Sequence, residues 1–351
     1  MYNDNDLKNL AEIKAFLDEN EIEYSTEYDN FCLYYGNPDG KRSYEICYVP
    51  SHAYPIAYKQ YGIEGVGMEY FYEASYKAEH ENNSFKCWVK DFEWQDDRKR
   101  EVLKSYFLYA AGKVKDKFYA RECEVREVDT KEARNFESQH CFYGKRGASL
   151  NLGLYTKKEK NGIPAGTLIM LYTFGKNFFG KDNSIEVLRV GTKRNANVSG
   201  GASKLLTYFL EHYPVLHMGG NVVPVEKLKF YSDYDHNIGG SMDQLGFQFV
   251  NYSKGGFMNY WVETGEIKSR QPNKHKEVMK QMSEGKVLAI PNAGVKTFVL
   301  YVDREKYPIK EKPVLPPLPN RHHGVTPMAM TKTAVTKKEI KPEDSPASII
   351  F

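Results

Sequence analysis

The stretch SGGAS, Ser199 to Ser203, puts two glycines and small residues directly against the apolar, helix-patterned run KLLTYFL. A helix start leaves backbone N–H groups unpaired at the positive end of its dipole. Glycines let that backbone close on an anionic oxygen. Ser199, Gly200, Gly201, Ala202 and Ser203 therefore read as an anion cradle or, more plainly, as a tight strand-to-helix turn. Tyr231 and Asp233 alternate in the strand-like KLKFYSDYD, so they share one face, lining a pocket or forming a polar edge. His140, Tyr143, Lys145 and Arg146 follow a helical stretch and precede a strand, as a phosphate-holding loop or as a solvated one. Arg189, on the strand before the glycine turn, could reach an acidic ligand or make a surface pair. Arg270, Lys274, His275 and Lys276 form a basic cluster suited to phosphate contacts or to an ordinary solvated face.

The elements that must position these groups follow from pattern. Residues 7–19 have helical apolar spacing. FCLYY and YEICYV read as a hairpin around turn residues. FKCWVKDFEW, 85–94, reads as a strand, and DDRKREVLKSYFLYAAGK as a helix capped by Asp96 or Asp97 and ending near Gly112. Next come a strand in FYARECEVREV, a helix from Asp129 or Thr130, and strands in SLNLGLYT, GTLIMLYTFG and SIEVLRVGT. The glycine-turn helix, the strand KLKFYSDYD and a short helix in GGSMDQLGF come after. QFVNYS and NYWVE read as a hairpin, HKEVMKQMSEGK as a short basic helix and TFVLYV as a last strand. This order predicts a mixed α/β chain. A first α/β domain spans 1–116, a mixed-sheet domain with a basic extension spans 117–302, and an extended Pro/Lys/Thr-rich tail spans 303–351. In that tail PVLPPLP reads as a polyproline ligand for a protein partner or as a spacer.

The 351 residues are 41% hydrophobic and 27% charged with a net charge of +3, a globular composition too weakly basic to demand nucleic acid. No apolar run approaches the ~20 residues of a membrane helix, so no membrane partner is expected. Five scattered cysteines without a Cys-x-x-Cys pair argue against a disulfide framework or a zinc site and fit a reducing cytoplasm.

Taken together, FYARECEVREV, NLGLY, YTFGK, LRVGTKRNANVSGGASKLLTYFLEHYP, YSD, DQLGF, KSRQPNKHKEVMK and GKVLAIPNAGVKTFVL resemble the C-terminal module of phage homing-endonuclease-like proteins. The likeness covers roughly residues 85–301. The module is similar to the GNAT acyltransferase fold and to Mom-type phage DNA-modification proteins. The resemblance implies that Asn197, Gly200 and Ala202 stand in the Arg/Gln-x-x-Gly-x-Gly/Ala pattern that binds the coenzyme A pyrophosphate, with Asn at its first position. It also places Met242 where a tyrosine general acid is usual, and a thioether cannot donate a proton. A DNA phosphate is the same kind of anion for that cradle. For the first domain the resemblance implies a Vsr-like or PD-(D/E)XK-type nuclease whose carboxylates hold magnesium. Asp91 and Glu93 match an acidic strand, Glu45 is one register from the first expected carboxylate, and Lys59 replaces the second. The leading expectation is a phage-type protein of the infected host cytoplasm or the virion that binds duplex DNA, with a degenerate nuclease pattern. Two alternatives stand beside it: an acyl-CoA-dependent transferase acting on DNA bases or another amine, and an inactive partner-binding protein.

Overall fold

In the computed structural model the described residues are 2–27, 30–35, 42–53, 70–177, 184–237, 239–253, 256–268 and 275–311. They form a mixed α/β structure with seven α-helices among them. Helix α1 (Asp4–Glu19) starts at a reciprocal cap, in which Asn3 accepts from the Asp6 amide and Asp6 accepts from the Asn3 amide. Strands β1 (Tyr24–Glu27), β2 (Asn30–Tyr35) and β3 (Arg42–Val49) form an antiparallel meander, so the hairpin read from FCLYY and YEICYV is present. Helix α2 (Tyr70–Glu81) leads into β4 (Ser84–Lys90), which pairs parallel to β3. Ile13, Leu17, Leu33, Ile46, Val89 and Trp94 close a core under this sheet.

Beyond Lys90 the strand expected over 85–94 stops. Asp91–Gln95 is a short helix, α3, followed by α4 (Asp97–Ala110). The cause is local side-chain bonding to the backbone, which competes with a ladder. Asp91 accepts from the Phe92 amide at 2.7 Å, and Glu93 reaches back to the Lys90 amide at 3.2 Å. Asp96 caps α4 through the Lys99 amide, and Gly112 with φ 68 lies just past its end.

Strands β5 (Asp116–Tyr119) and β6 (Cys123–Glu127) flank a 3-10 turn; helix α5 (Thr130–His140), capped by Asp129, follows. Strands β7 (Leu150–Thr156), β8 (Leu168–Lys176) and β9 (Ile185–Thr192) run antiparallel. Strand β10 (Ala196–Ser199) lies beside β5 and feeds α6 (Gly201–His212). Strands β11 (Val215–Met218) and β12 (Asn221–Pro224) make a small ribbon before β13 (Lys227–Asp233). Then come β14 (Gln248–Ser253), β15 (Phe257–Trp261), β16 (Ile267–Lys268), helix α7 (His275–Ser283), β17 (Val287–Pro291) and β18 (Val295–Tyr301). The large sheet has the order β14-β18-β13-β9-β8-β7-β6. Phe209 of α6 stacks on Phe174 of β8, while Ala133 and Phe136 of α5 pack with Tyr155 and Leu171 on the opposite face.

Two expectations are corrected here. QFVNYS and NYWVE do not pair with each other: β14 pairs with β18, and β15 with β16 and β17. The long-range partner β18, buried along most of its length, outcompetes the local hairpin for the β14 ladder. The expected tail also begins too early. Arg304 donates to the carbonyls of Leu210 at 2.7 Å and Val225 at 2.6 Å, and Tyr307 is buried against the core. Lys310 donates its amide to the Glu211 carbonyl. PVLPPLP and everything after it lie outside the described residues. Met242 is a buried core residue before a 3-10 turn (Asp243–Leu245), where a short α-helix was expected.

Arg304 satisfies two carbonyls that would otherwise lose their partners, one of them in the last turn of α6. Arg304→Ala should lower stability by about 1–3 kcal/mol, read from urea denaturation, with little change in far-ultraviolet circular dichroism.

Candidate functional site

The geometry begins where two parallel strands part. Strands β9 and β13 pair only through Ile185–Val187 and Leu228–Phe230. Immediately after, Val187 pairs with Phe174 and Arg189 with Thr173, leaving Leu188 as an extra residue in β9. Such a bulge bends the strand and re-aims its side chains. Arg189 folds back along it, donating to the Leu188 carbonyl at 2.9 Å and the Gly144 carbonyl at 3.3 Å, with Tyr143 beneath its guanidinium.

The end of β13 carries a buried charge cluster to which both sheets contribute. Asp233 bonds His236 Nδ1 at 2.6 Å and accepts from the Tyr143 hydroxyl at 2.5 Å. His236 Nε2 lies 3.5 Å from Glu93 of α3. Lys90, at the end of β4, donates to Asp235 at 2.5 Å and lies 4.0 Å from Glu93. Lys90 and Asp235 are 2% and 3% exposed, so both charges have left water. Backbone bonds run alongside: Trp88 donates its amide to the Asp235 carbonyl, and Ala293 donates its amide to the Asp235 carboxylate. Phe142 packs on the His236 ring, and Arg98 holds the Cys141 and Phe142 carbonyls.

Burial opposes every charge here, and the neighbours decide which survive. Burial would raise Glu93, yet Lys90 and His236 bring it down to about 2. Burial would neutralise His236, yet Asp233 and Glu93 hold it protonated up to about 10. Asp233 stays below its ordinary value against burial because of His236 and Tyr143. Asp235 is pushed up, by burial first and despite Lys90. A protonated imidazole between two carboxylates is a clamp, not a resting general base.

The second feature is the glycine turn. Strand β10 pairs parallel to β5, with Asn197 opposite Lys117, and ends at Ser199 opposite Tyr119. Gly200 has φ 73 and opens α6 with no side-chain cap. The Gly201 Cα faces inward: a Cβ there would lie 2.7 Å from the Met170 sulfur. Gly200 and Ser203 are exposed and Ala202 half-buried. Lys204 donates to the carbonyls of Ala120 and Cys123. A cavity of about 240 Å³ runs along α6 from this first turn, lined by Ser203, Thr207 and Glu211 with Gln244, Lys306 and Tyr307.

The residues singled out from sequence fall into place unevenly. Tyr143, Asp233 and Glu93, expected in three different sites, meet in one cluster. Tyr231 shares the Asp233 face, but its hydroxyl donates to Asn177. The loop at 140–146 is not an open phosphate holder. Arg146 is buried against Glu186 and Glu137, His140 accepts from the Arg194 amide, and Lys145 alone of the four points fully to solvent. Arg189 serves that loop rather than the glycine turn. The carboxylates Glu45, Asp91 and Glu93 do not converge: Glu45 pairs with Lys86, Asp91 bonds Ser51, and Glu93 faces His236. Magnesium, which the nuclease resemblance implies, thus lacks a shared donor set in them. Lys276 is exposed on α7, where His275 also lies; Arg270, Lys274 and Lys59 lie outside the described residues. Sequence reading missed Lys90, Asp235 and His236. The signal was there in Asp233-Tyr-Asp-His, three titratable groups in four positions, and in a lysine closing an apolar strand.

The chain matches no known protein-family profile and no curated protein sequence. No helix among the described residues is long and apolar enough to cross a membrane. Fold and site together define a mixed α/β protein with an uncapped glycine turn on its large sheet and a buried ionic clamp between its two main sheets.

Removing one member of the clamp strands a buried charge. Lys90→Met should cost about 3–5 kcal/mol, and Lys90→Met with Asp235→Leu should cost less than the sum of the singles. His236 has a folded-state value raised from 6.5 to about 10, so its stabilisation is complete below pH 6.5 and is lost as pH climbs to about 10. Chemical denaturation across that window should show a falling wild-type stability and a flatter curve for His236→Gln.

Proposed function

We propose that the large-sheet region is an acyl-coenzyme-A-dependent N-acyltransferase of the GNAT type. One observation carries the reading. A parallel strand pair, β9 and β13, parts after three paired residues, and the helix connecting these strands opens on an uncapped glycine turn. In open α/β sheets, ligands settle where such strands diverge. The insertion of β18 between β13 and β14 and the Leu188 bulge are consistent with it. The amides of Gly201, Ala202 and Ser203 would receive the pyrophosphate, and the cavity along α6 offers room beside them. The missing Cβ at Gly200 and Gly201 lets the backbone approach. When bound, the coenzyme supplies an activated acyl thioester. The chain's own residues would orient it, with Tyr231 and Tyr143 as the nearby hydroxyls on the β13 side in place of the one Met242 lacks. Transfer is favoured over strand cleavage because the three nuclease-like carboxylates lie in separate pairings.

A second reading, binding of duplex DNA as the bearer of the acceptor amine, has one observation in its favour. His140 is held down to about 4 by burial and then by the nearby charges of Lys193 and Arg194. With exposed Lys145 these make a positive rim around the loop that covers β9. Such a rim predicts DNA binding that weakens as salt rises.

Acetyl-coenzyme A at about 100 times its Kd should stabilise the protein by about 2.7 kcal/mol, seen as a higher Tm. Gly200→Asp keeps a residue type that tolerates positive φ and supplies its own carboxylate to the amides. It should fold yet lose the shift. A wild-type Tm unmoved by millimolar thioester would overturn the proposal.

A further inference from the structure

A second group of side chains lies in the other sheet region, away from both features above. Strands β3 and β4 are parallel neighbours, with Val49 opposite Lys90, and the chain just past each of them carries a metal-ligating residue. His52 sits in the 3-10 turn after β3, and Asp91 begins α3 directly after β4. Asp6, in the first turn of α1, completes the group. One donor atom from each lies within 4.8 Å of the others.

The chemistry of this group differs from a surface acidic patch. Asp6 is 1% exposed, and its nearest cationic partner is the His52 imidazole at 3.4 Å. Among the described residues, neither Asp6 nor Asp91 has a lysine or arginine in ion-pairing range. Asp91 is pushed up, by burial and in smaller part by the Asp6 charge. Two carboxylates thus share a partly enclosed site with one exposed imidazole. The donor spacing is informative. Two ligands bound at ~2.0–2.2 Å on a tetrahedral ion stand roughly 3.4 Å apart, the separation seen between Asp6 Oδ2 and His52 Nδ1. The exposed His52 ring is free to turn to bring the third donor in. The outer partners are also those a metal site needs. Tyr48, itself bonded to Asn9, donates to Asp6 Oδ1 at 2.9 Å. The Ser51 amide orients Asp91 Oδ2 at 3.0 Å.

We propose that Asp6, His52 and Asp91 bind one divalent transition-metal ion, with water completing its coordination. A mixed nitrogen–oxygen donor set with an imidazole suits zinc, cobalt or manganese better than magnesium or calcium. The bound ion ties the start of α1 to the carboxyl ends of β3 and β4. This site is independent of acyl transfer, because it shares no residue with the glycine turn.

The test is titration of the full chain, stripped with chelator, with zinc and with cobalt chloride. Calorimetry should show one site, cobalt should develop visible absorption bands, and zinc should raise Tm where equal magnesium does not. His52→Ala removes a solvent-exposed side chain, so it should fold, and it should weaken zinc binding at least tenfold. Asp91→Asn keeps the Ser51 contact and should weaken it as well. Absence of saturable binding by the wild type, or equal binding by wild type and His52→Ala, would overturn the site.

Discussion

Lys90 and Asp235 are 145 residues apart in the chain, yet their buried ion pair fixes how the two main sheets meet. Taking two charges out of water costs several kcal/mol per ion. That cost is tolerable only because each charge is completed by further bonds. Asp235 also accepts the Ala293 amide, and Glu93 and Lys90 stand within reach of each other. Two cations, Lys90 and His236, face three carboxylates, Glu93, Asp233 and Asp235. Lys99, over the Phe92 and Phe142 rings, adds positive charge close to Glu93. Around this polar centre lie Cys47, Val49, Phe71, Trp88, Tyr234 and Ala293, which keep it dry.

From that clamp the geometry of the large sheet follows outward. Asp233 is the last residue of β13, and its bond to Tyr143 draws the loop after α5 over the strand ends. Arg189 then reaches the Gly144 carbonyl, which sets the bulge side of β9 against the same loop. On the other side of the parting strands, α6 begins on a turn that no side chain closes. One end of the sheet is thus saturated with internal partners, and the turn at the start of α6 has donors to spare. That asymmetry separates the clamp, whose groups are spent on holding the molecule together, from the turn, whose amides remain for a ligand.

Local structure was legible in the residues wherever a cap or a glycine fixed it. Asp96 and Asp129 bond amides two or three residues ahead, and Gly112 takes the positive φ that ends a helix. These interactions reach a few residues along the chain, so residue type and spacing suffice to read them. The same logic failed at KDFEW, where apolar and acidic alternation imitates a strand although Asp91 and Glu93 turn the backbone into a helix. It failed again at QFVNYS, because the strand that wins it, β18, lies some 45 residues downstream.

By itself, then, the sequence determined the helices, most strands and the exposed glycine turn, since propensity, capping and positive φ are properties of short segments. Only the tertiary structure decided the partners of the charged groups. Tyr143, Asp233 and Glu93 carry no mark of their shared destination, and Glu45 and Asp91 none of their separation. Where a carboxylate ends is set by the register of β3 on β4 and by the parting of β9 from β13. Those depend on burying apolar surface across the whole fold, which no local pattern encodes.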